Sequence, residues 1–436
     1  MKIAKAKYIL FSVILVLYLA LVGFSFYSKG TGDVQSWQRY VKVSVSAPLK
    51  ELIPKCLNYQ CPFPDYNGTY PPGYMLLFLI FSNILPVQIL GTFTTVKLII
   101  FFFYVLTFLT LLSINILIYR FTQNYGKIVI DTFILFGTVI SLTLNSLWLG
   151  YTDIFISPFL LLSIFLLSRG KVFFSGIFYS AAVLIKWQPL IIIPFLIIYL
   201  IKSGRTGLVK MKSVFQFCAG AALPVLLLLP LNTKIITAMY LAVTQGAYRD
   251  FVFSSALNIQ WITTFLLHIL FPNLFGPLKD GLNTYIAVTD AFPGLLNLPK
   301  LFFWIAYGLI VWKFFRKNTE PGLRFLHFLL AAIVSYSTYF MLSSGVHENH
   351  LSVAVLFALI LYTIHANIKT RILLIIFDIA HLLNMAIFYG FTGIPFIRSV
   401  GMLDLSIPLA VVMIIGYIKL VHLFNSSFLT SYKLGK

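Results

Sequence analysis

An all-α fold, a polytopic bundle of transmembrane helices, is predicted by three features of this 436-residue sequence. Hydrophobic residues make up 60% of the chain and charged ones 10%, too little polar surface to cover a soluble globule. Apolar runs near bilayer length recur from one end to the other. Lysine and arginine fall in short clusters between those runs, the pattern that sets topology in a membrane. The net charge of +20 therefore reads as loop charge, since no separate basic domain or nucleic-acid motif is present to use it.

Residues 8–27 follow Lys2, Lys5 and Lys7 and read as a retained first span, with no small-residue cleavage site behind them. The basic stretch Lys202, Arg205, Lys210 and Lys212 marks the cytoplasmic side. Counting back from it, 189–201, 173–185, 154–168 and 128–147 each cross, which leaves Arg169 and Lys171 inside together with Arg120 and Lys127. Parity then requires an odd number of crossings between Lys29 and Arg120, and the one crossing is assigned to 97–119. The run 74–90 is short, contains Pro86 and follows the Tyr70–Gly73 turn, so it is expected to lie at the interface. Downstream, 214–231, 300–315, 324–342, 351–366, 372–392 and 405–424 cross, while 259–272, with His268, is interfacial or re-entrant. The expectation is about twelve spans in a single integral membrane domain over 1–436, both termini cytoplasmic. Large extracytoplasmic loops at 28–96 and 232–299 carry juxtamembrane helices.

This topology collects the scarce polar residues on the extracytoplasmic side: Asp33, Asp65, Tyr70 to Pro72, Asp153, Lys186, Asn258, Trp261 and the His347 to His350 cluster. Asp33 suits a general base held by a rigid helix, or a loop acid balancing Lys29 and Arg39. Asp153, at the start of a span, caps that helix or binds a ligand. Lys186 is an interface anchor or, because it opposes the usual charge bias, a phosphate ligand. His347, Glu348 and His350 are possible metal ligands by type, but His-Glu-Asn-His lacks the spacing of the zinc-protease motif; a histidine facing a phosphate fits as well. Asp131, Asp378 and His381 fall within predicted spans, as structural contacts or as a relay. Cys56 and Cys61 are a disulfide or free thiols, Cys218 lies in an apolar run, and Asn67-Gly68-Thr69 is a glycosylation sequon.

Taken in order, several of these pieces resemble the GT-C fold membrane glycosyltransferases that use polyprenyl- or dolichyl-phosphate sugars. The matching pieces are Asp33 past the first span, Tyr70-Pro71-Pro72, Gly150 with Asp153, Lys186 with Gln188 and Pro189, Asn258 with Trp261, and Val346-His347-Glu348. The box is closest to the His-Glu enzymes that include the dolichyl-phosphate-glucose glucosyltransferases of N-glycan assembly. Asn349 and His350 depart from it, as does Tyr151, where the related Gly-Gln-x-Asp pattern has glutamine.

The resemblance implies inverting transfer of a hexose-like sugar to a lipid-linked glycan or other extracytoplasmic acceptor. Asp33 would be the general base, with His347 on the donor phosphate, supported by Lys186 or Arg249. Glu348 would orient His347, and Asp153, Tyr70, Asn258 and Trp261 would support the site or bind the acceptor. Neither a nucleotide nor another cofactor is expected, and no obligatory metal. The bilayer and the two lipid-linked substrates are the expected partners, with no nucleic acid. The location would be the cell membrane in a prokaryote or the endoplasmic reticulum in a eukaryote. The rival class is a multi-pass transporter or flippase for a lipid-linked or anionic solute, to which broken helices and Asp378 would be suited.

Overall fold

The computed structural model describes residues 2–46, 48, 51–52, 70–203, 207–230, 235–247, 251–253, 255–287, 294–395, 398–400 and 403–425. Among these the chain is nearly all helix, as its composition predicts. α1 (Lys2–Ser25), α2 (Gly32–Ser44), α3 (Pro72–Ile84) and α4 (Val87–Tyr119) are followed by α5 (Tyr125–Thr138) and α6 (Ile140–Thr143), which runs into a π-helical turn at Leu144–Trp148. A 3-10 turn (Thr152–Ile156) leads into α7 (Ser157–Ser168), then come α8 (Val172–Ile185) and a second 3-10 turn (Gln188–Ile192) into α9 (Ile193–Ser203). The remaining helices are α10 (Gly207–Leu228), α11 (Ile235–Ala247), α12 (Ile259–Leu270), α13 (Pro272–Phe275), α14 (Gly294–Arg316), α15 (Arg324–Leu342), α16 (Ser352–Ile364), α17 (Ile368–Tyr389) and α18 (Ser406–Asn425). Two short antiparallel ladders pair β1 (Phe251–Phe253) with β2 (Ile286–Ala287) and β3 (Ser399–Val400) with β4 (Leu403–Asp404).

Local signals explain the boundaries. Pro72 opens α3 in the first helical turn, where its missing N–H costs nothing. Asn124, Asn258 and Asn367 cap α5, α12 and α17 by accepting the N–H three residues on. Ser335, Ser337 and Thr338 of α15, buried on all sides, return their hydroxyls to carbonyls of their own helix.

Among the described residues, six helices are long and apolar enough to cross a membrane: Val87–Tyr119, Met211–Leu228, Asn297–Arg316, Pro321–Leu342, Ile368–Tyr389 and Ser406–Phe424. Several expose isoleucine, leucine and tryptophan outward, such as Trp304, Ile305 and Leu309 on α14 and Ile372, Ile376 and Ile379 on α17, a surface suited to lipid. The predicted straight crossing at 128–147 is instead a pair, Tyr125–Thr138 and Ile140–Trp148, bent by 68°. The bend falls at Val139, whose ψ of 74° is outside the helical region. Counting that pair gives up to seven crossing helices, and the other expected spans correspond to shorter apolar helices.

Two compact units divide the chain. The first comprises Met1–Trp187, Phe217–Val243 and Phe391–Ile394; the second comprises Gln188–Gln216, Thr244–Gly390 and Pro395–Lys436.

Within the first unit, the broken helix ends at Leu147–Leu149, leaving carbonyls with no helical partner. Lys97, buried in α4, donates its ammonium to Leu147 O at 2.6 Å and to Ser25 O and Trp148 O at 3.3 Å each. The segment after α1 supplies the rest: Ser28 Oγ donates to Trp148 O at 2.8 Å, and Thr31 donates its N–H to Leu149 O at 3.0 Å. A hydroxyl chain reinforces the joint, from Tyr18 to Tyr104 (2.7 Å) and between Tyr104 and Thr143 (2.6 Å).

Lys97→Met leaves Leu147 O without its donor, at a cost of about 1–3 kcal/mol per acceptor so exposed. Thermal unfolding in detergent should therefore show a lower Tm for Lys97→Met, with Lys97→Arg closer to the parent; an unchanged Tm for Lys97→Met would remove the brace.

Candidate functional site

Asp33 occupies the first turn of α2, exposed to solvent, just past the segment that Lys97 and Ser28 help to fasten. The turn that carries Asp153 is held against it. Gly30 and Gly150 both take left-handed backbone, with φ of 69° and 78°, and both lie at the contact. A Cβ on Gly30 would stand 2.6 Å from Leu149 O, and one on Gly150 would stand 2.3 Å from the Val34 side chain. Only glycine at these two positions lets the Asp33 turn and the Gly150–Asp153 turn close on each other.

Around this joint the first unit assembles three further groups that are remote in sequence. The Asp153 carboxylate accepts from the Lys186 ammonium at 2.5 Å, with side chains 2% and 10% exposed, so Lys186 is committed to an ion pair. Beside them, Tyr74 shares a hydrogen bond with Thr152 Oγ1 at 2.9 Å. Tyr70 stacks on Tyr74 with ring centroids 4.4 Å apart, and Trp37, one turn after Asp33, meets both rings edge-on. Burial pushes the Tyr74 phenol well above its usual pKa; Tyr70 adds to this, the Thr152 hydrogen bond opposes it, and Tyr40 and the Asp33 charge add further. Tyr70 thus lies on one buried tyrosine that the sequence did not single out, and through Thr152 that tyrosine is joined to the turn carrying the ion pair of Asp153 and Lys186. The repeated tyrosine of Tyr70-Pro-Pro-Gly-Tyr74, four apart across a helix start, was the available signal.

In the second unit, Asn258 is buried and saturated: it caps α12 and donates to Phe340 O at 2.9 Å. The Trp261 indole donates to Ser406 Oγ at 2.8 Å. His347, with 29% of its side chain exposed, lies with Nδ1 4.0 Å from the buried Glu348 carboxylate, ion-pair range but too long for a hydrogen bond. A reciprocal cap also orients the ring: His347 accepts the His350 N–H, while the His350 ring accepts the His347 N–H at 3.3 Å. The Glu348 carbonyl accepts from Asn384 of α17, and Asn384 also receives the Leu257 N–H at 2.7 Å. One side chain thus ties the His-Glu turn to the start of α12.

Close to Trp261 is a second buried pair that the sequence did not announce. The Arg398 guanidinium donates to Asp404 at 3.0 Å and lies over the rings of Trp261 and Phe388. Asp404 also accepts from the Asn283 N–H (2.8 Å) and from the Ser406 hydroxyl (2.6 Å). Its burial raises the carboxyl pKa, yet the hydrogen bonds from Ser406, Arg398 and Asn283 and the arginine charge hold it below the ordinary value.

Arg249, Asp65, Cys56, Cys61 and the Asn67 sequon lie outside the described residues. Asp131, expected within the membrane, is half exposed at 53% and pairs with Lys127 at 3.7 Å, one helical turn away. Asp378 and His381 are buried on α17, and neither nitrogen of His381 has a hydrogen-bond partner among the described residues. Among those residues no three histidine, cysteine or carboxylate side chains group as a metal site. No known family model matches the chain, and no curated protein is detectably similar to it.

Breaking the buried pair from one side, by Asp153→Asn or Lys186→Met, should cost about 3–5 kcal/mol because an uncompensated charge stays behind. The double variant Asp153→Asn/Lys186→Met should recover part of that loss in a thermal-unfolding cycle; strictly additive losses would mean that the two groups act apart. Asp404 should appear in the pH dependence of stability. With its folded pKa depressed, its contribution is present at neutral pH and is lost as pH falls below about 4 toward the folded value. Between pH 6 and 3 the parent should therefore lose stability more steeply than Asp404→Asn, and parallel curves would contradict this.

Proposed function

We propose that the protein is an inverting membrane glycosyltransferase of the GT-C type, which moves a hexose from a polyprenyl-phosphate carrier to an extracytoplasmic acceptor. The observation that supports this most is the joint in the first unit. Tyr70 stacks on Tyr74, whose hydroxyl bonds Thr152, the chain neighbour of the Asp153 and Lys186 pair, and the contact at Gly30 and Gly150 brings the Asp33 turn to the same joint, so residues that the resemblance assigns to one site and that span some 150 positions of sequence come from adjoining turns. Twelve crossings also follow if the bent pair and five shorter apolar helices, Phe11–Ser25, Thr152–Ser168, Val172–Ile185, Gln188–Ser203 and Glu348–Ile364, are added to the six long ones. Several of these begin with 3-10 turns, whose rise of about 2.0 Å per residue brings Thr152–Ser168 near 28 Å, close to the roughly 30 Å hydrocarbon core. Pro72–Ile84 and Ile259–Leu270 are then the juxtamembrane pieces.

In the reaction, the exposed Asp33 carboxylate takes the proton of the attacking acceptor hydroxyl. The new bond forms at the anomeric carbon while the bond to the phosphate oxygen breaks, and the polyprenyl phosphate leaves with that electron pair. The resemblance assigns the leaving phosphate to His347 and Arg249, and Lys186 acts through its pair with Asp153. A transporter is the second reading, favoured by the 68° break between α5 and α6. Against it, the carbonyls at the end of the bent pair, Leu147 to Leu149, are occupied by Lys97, Ser28 and Thr31 instead of lining an ion path.

Membranes containing the protein, given radiolabelled polyprenyl-phosphate hexoses, should transfer label to a lipid-linked acceptor. Asp33→Asn should lower that rate by about 10²–10⁴-fold, as expected for loss of a general base, with expression unchanged. Undiminished transfer by Asp33→Asn would end the assignment of the base, and label crossing the bilayer unreacted would favour the transporter.

A further inference from the structure

Cations crowd together in the second unit where α9 and α14 end and α15 begins. Between positions 313 and 324 the sequence sets Lys313, Arg316, Lys317 and Arg324 against one carboxylate, Glu320, and Lys202 joins them from the last turn of α9. The Lys202 ammonium donates to Phe314 O and Lys317 O at 2.9 Å each, at the end of α14. Arg324, at the start of α15, donates through Nη1 to Lys202 O and through Nε to Thr319 O at 3.1 Å. One cation is enough to satisfy a helix C-terminus. A second held beside it is repelled by the first, a cost that an anion bound to both removes. Both groups keep donors to offer: the third ammonium hydrogen of Lys202 and Nη2 of Arg324 have no acceptor among the described residues, and both side chains are partly exposed.

The surface that leads to these cations is apolar. α14 buries Phe303, Tyr307, Ile310 and Phe314 and carries Leu301, Ile305, Leu309, Trp312 and Phe315 along one outward stripe, each more than half exposed. From Leu301 to Phe315 the stripe runs about 21 Å at the helical rise of about 1.5 Å per residue, more than the depth of one leaflet in a hydrocarbon core of roughly 30 Å. It ends beside Arg316, whose guanidinium lies 5.4 Å from the centre of the Trp312 ring.

A phosphate that takes charge-assisted hydrogen bonds, joined to an acyl chain that lies on such a stripe, describes an anionic phospholipid. A free phosphate leaves the stripe unused, and a zwitterionic headgroup brings its own ammonium into a cluster that repels it. We propose that the ends of α9 and α14 and the start of α15 bind one anionic phospholipid, with its phosphate on Lys202, Arg316 and Arg324 and an acyl chain along the exposed stripe of α14. Charge bias in the sequence assigns these loops to the cytoplasmic side, where basic residues next to a span meet anionic lipid. The 19 residues of α15, about 28 Å of helix, separate the lipid from the His347 turn, and its binding stands whether or not the protein transfers a sugar.

The test is native mass spectrometry of the full-length protein released from detergent micelles, which reads the Kd of the first lipid bound. The probes are dioleoyl phosphatidylglycerol and dioleoyl phosphatidylcholine, which share their acyl chains and differ in headgroup charge. Phosphatidylglycerol should bind about tenfold more tightly or better. Arg316→Gln and Lys202→Gln should each weaken it about fivefold, and the double variant about twenty-five-fold, with phosphatidylcholine unchanged. Leu309→Asn, on the stripe, should weaken phosphatidylglycerol about threefold. Lys127→Gln removes an exposed cation of α5 and should change neither lipid. Should Lys202→Gln fail to fold by size exclusion, Arg316→Gln, whose side chain is exposed, carries the test alone. The proposal is overturned if the two lipids bind alike or if folded Arg316→Gln keeps the parent's preference. It is overturned equally if Lys127→Gln weakens phosphatidylglycerol as much as Arg316→Gln does, which would make the preference one of overall charge. Displacement of the lipid by inorganic phosphate in about hundredfold excess would make this a site for soluble phosphate and would also end it.

Discussion

A single buried ammonium and the three carbonyl oxygens around it organise the first unit. An apolar environment does not hydrate the end of a broken helix, so each orphan carbonyl at Leu147, Trp148 and Leu149 needs a donor from the protein. Lys97 supplies the first, and because it also reaches Ser25 it ties the end of α1 to the same point. Ser28 and Thr31 supply the others and in doing so lay the segment before Asp33 along the turn before Asp153. Charge-assisted hydrogen bonds of about 1.5–3 kcal/mol each offset the several kcal/mol of desolvating the ammonium. The end of the bent pair is therefore closed by a lysine and by the segment after α1, and the turns that carry Asp33 and Asp153 meet there.

The same economy of polar groups runs through the rest of the molecule. Asp153 and Lys186 neutralise each other away from water, and Tyr74 reaches Thr152 next to them, so the aromatic cluster is anchored to the ion pair by one hydroxyl. The second unit is built on different residues with similar logic. Asn384 bridges the His-Glu turn and the residue before the α12 cap, and Asp404 gathers donors from three segments under the Trp261 indole. In each unit the functional candidates that remain reachable, Asp33 and Tyr70 in one and His347 in the other, sit on turns held by buried side chains. Rigid support beneath an exposed group is what a site that must orient a hydroxyl against a reacting carbon requires.

Much of this was legible along the chain. Composition and run length predicted the helical class, and the asparagines and prolines at helix starts marked several boundaries to within a few residues. Scarcity made the polar residues conspicuous, which is why Asp33, Asp153, Lys186, Glu348 and His347 stood out in a chain with 12 carboxylates. Lys97 obeyed the same signal as Lys186, a cation at the wrong end of an apolar run, and was absorbed into a predicted span.

Periodicity, charge bias and capping are written locally, each within a few residues, and they settled helix class, most helix positions and the short inventory of groups able to do chemistry. The choice of partner is not local. Whether Asp153 caps its own turn or takes Lys186 from 33 positions away, whether a helix runs straight through Val139 or bends, and which tyrosine meets Thr152 were decided by folding. The reason is that a buried donor or charge accepts whichever complementary group the packing brings within about 3 Å, and that distance exists only once distant segments have met.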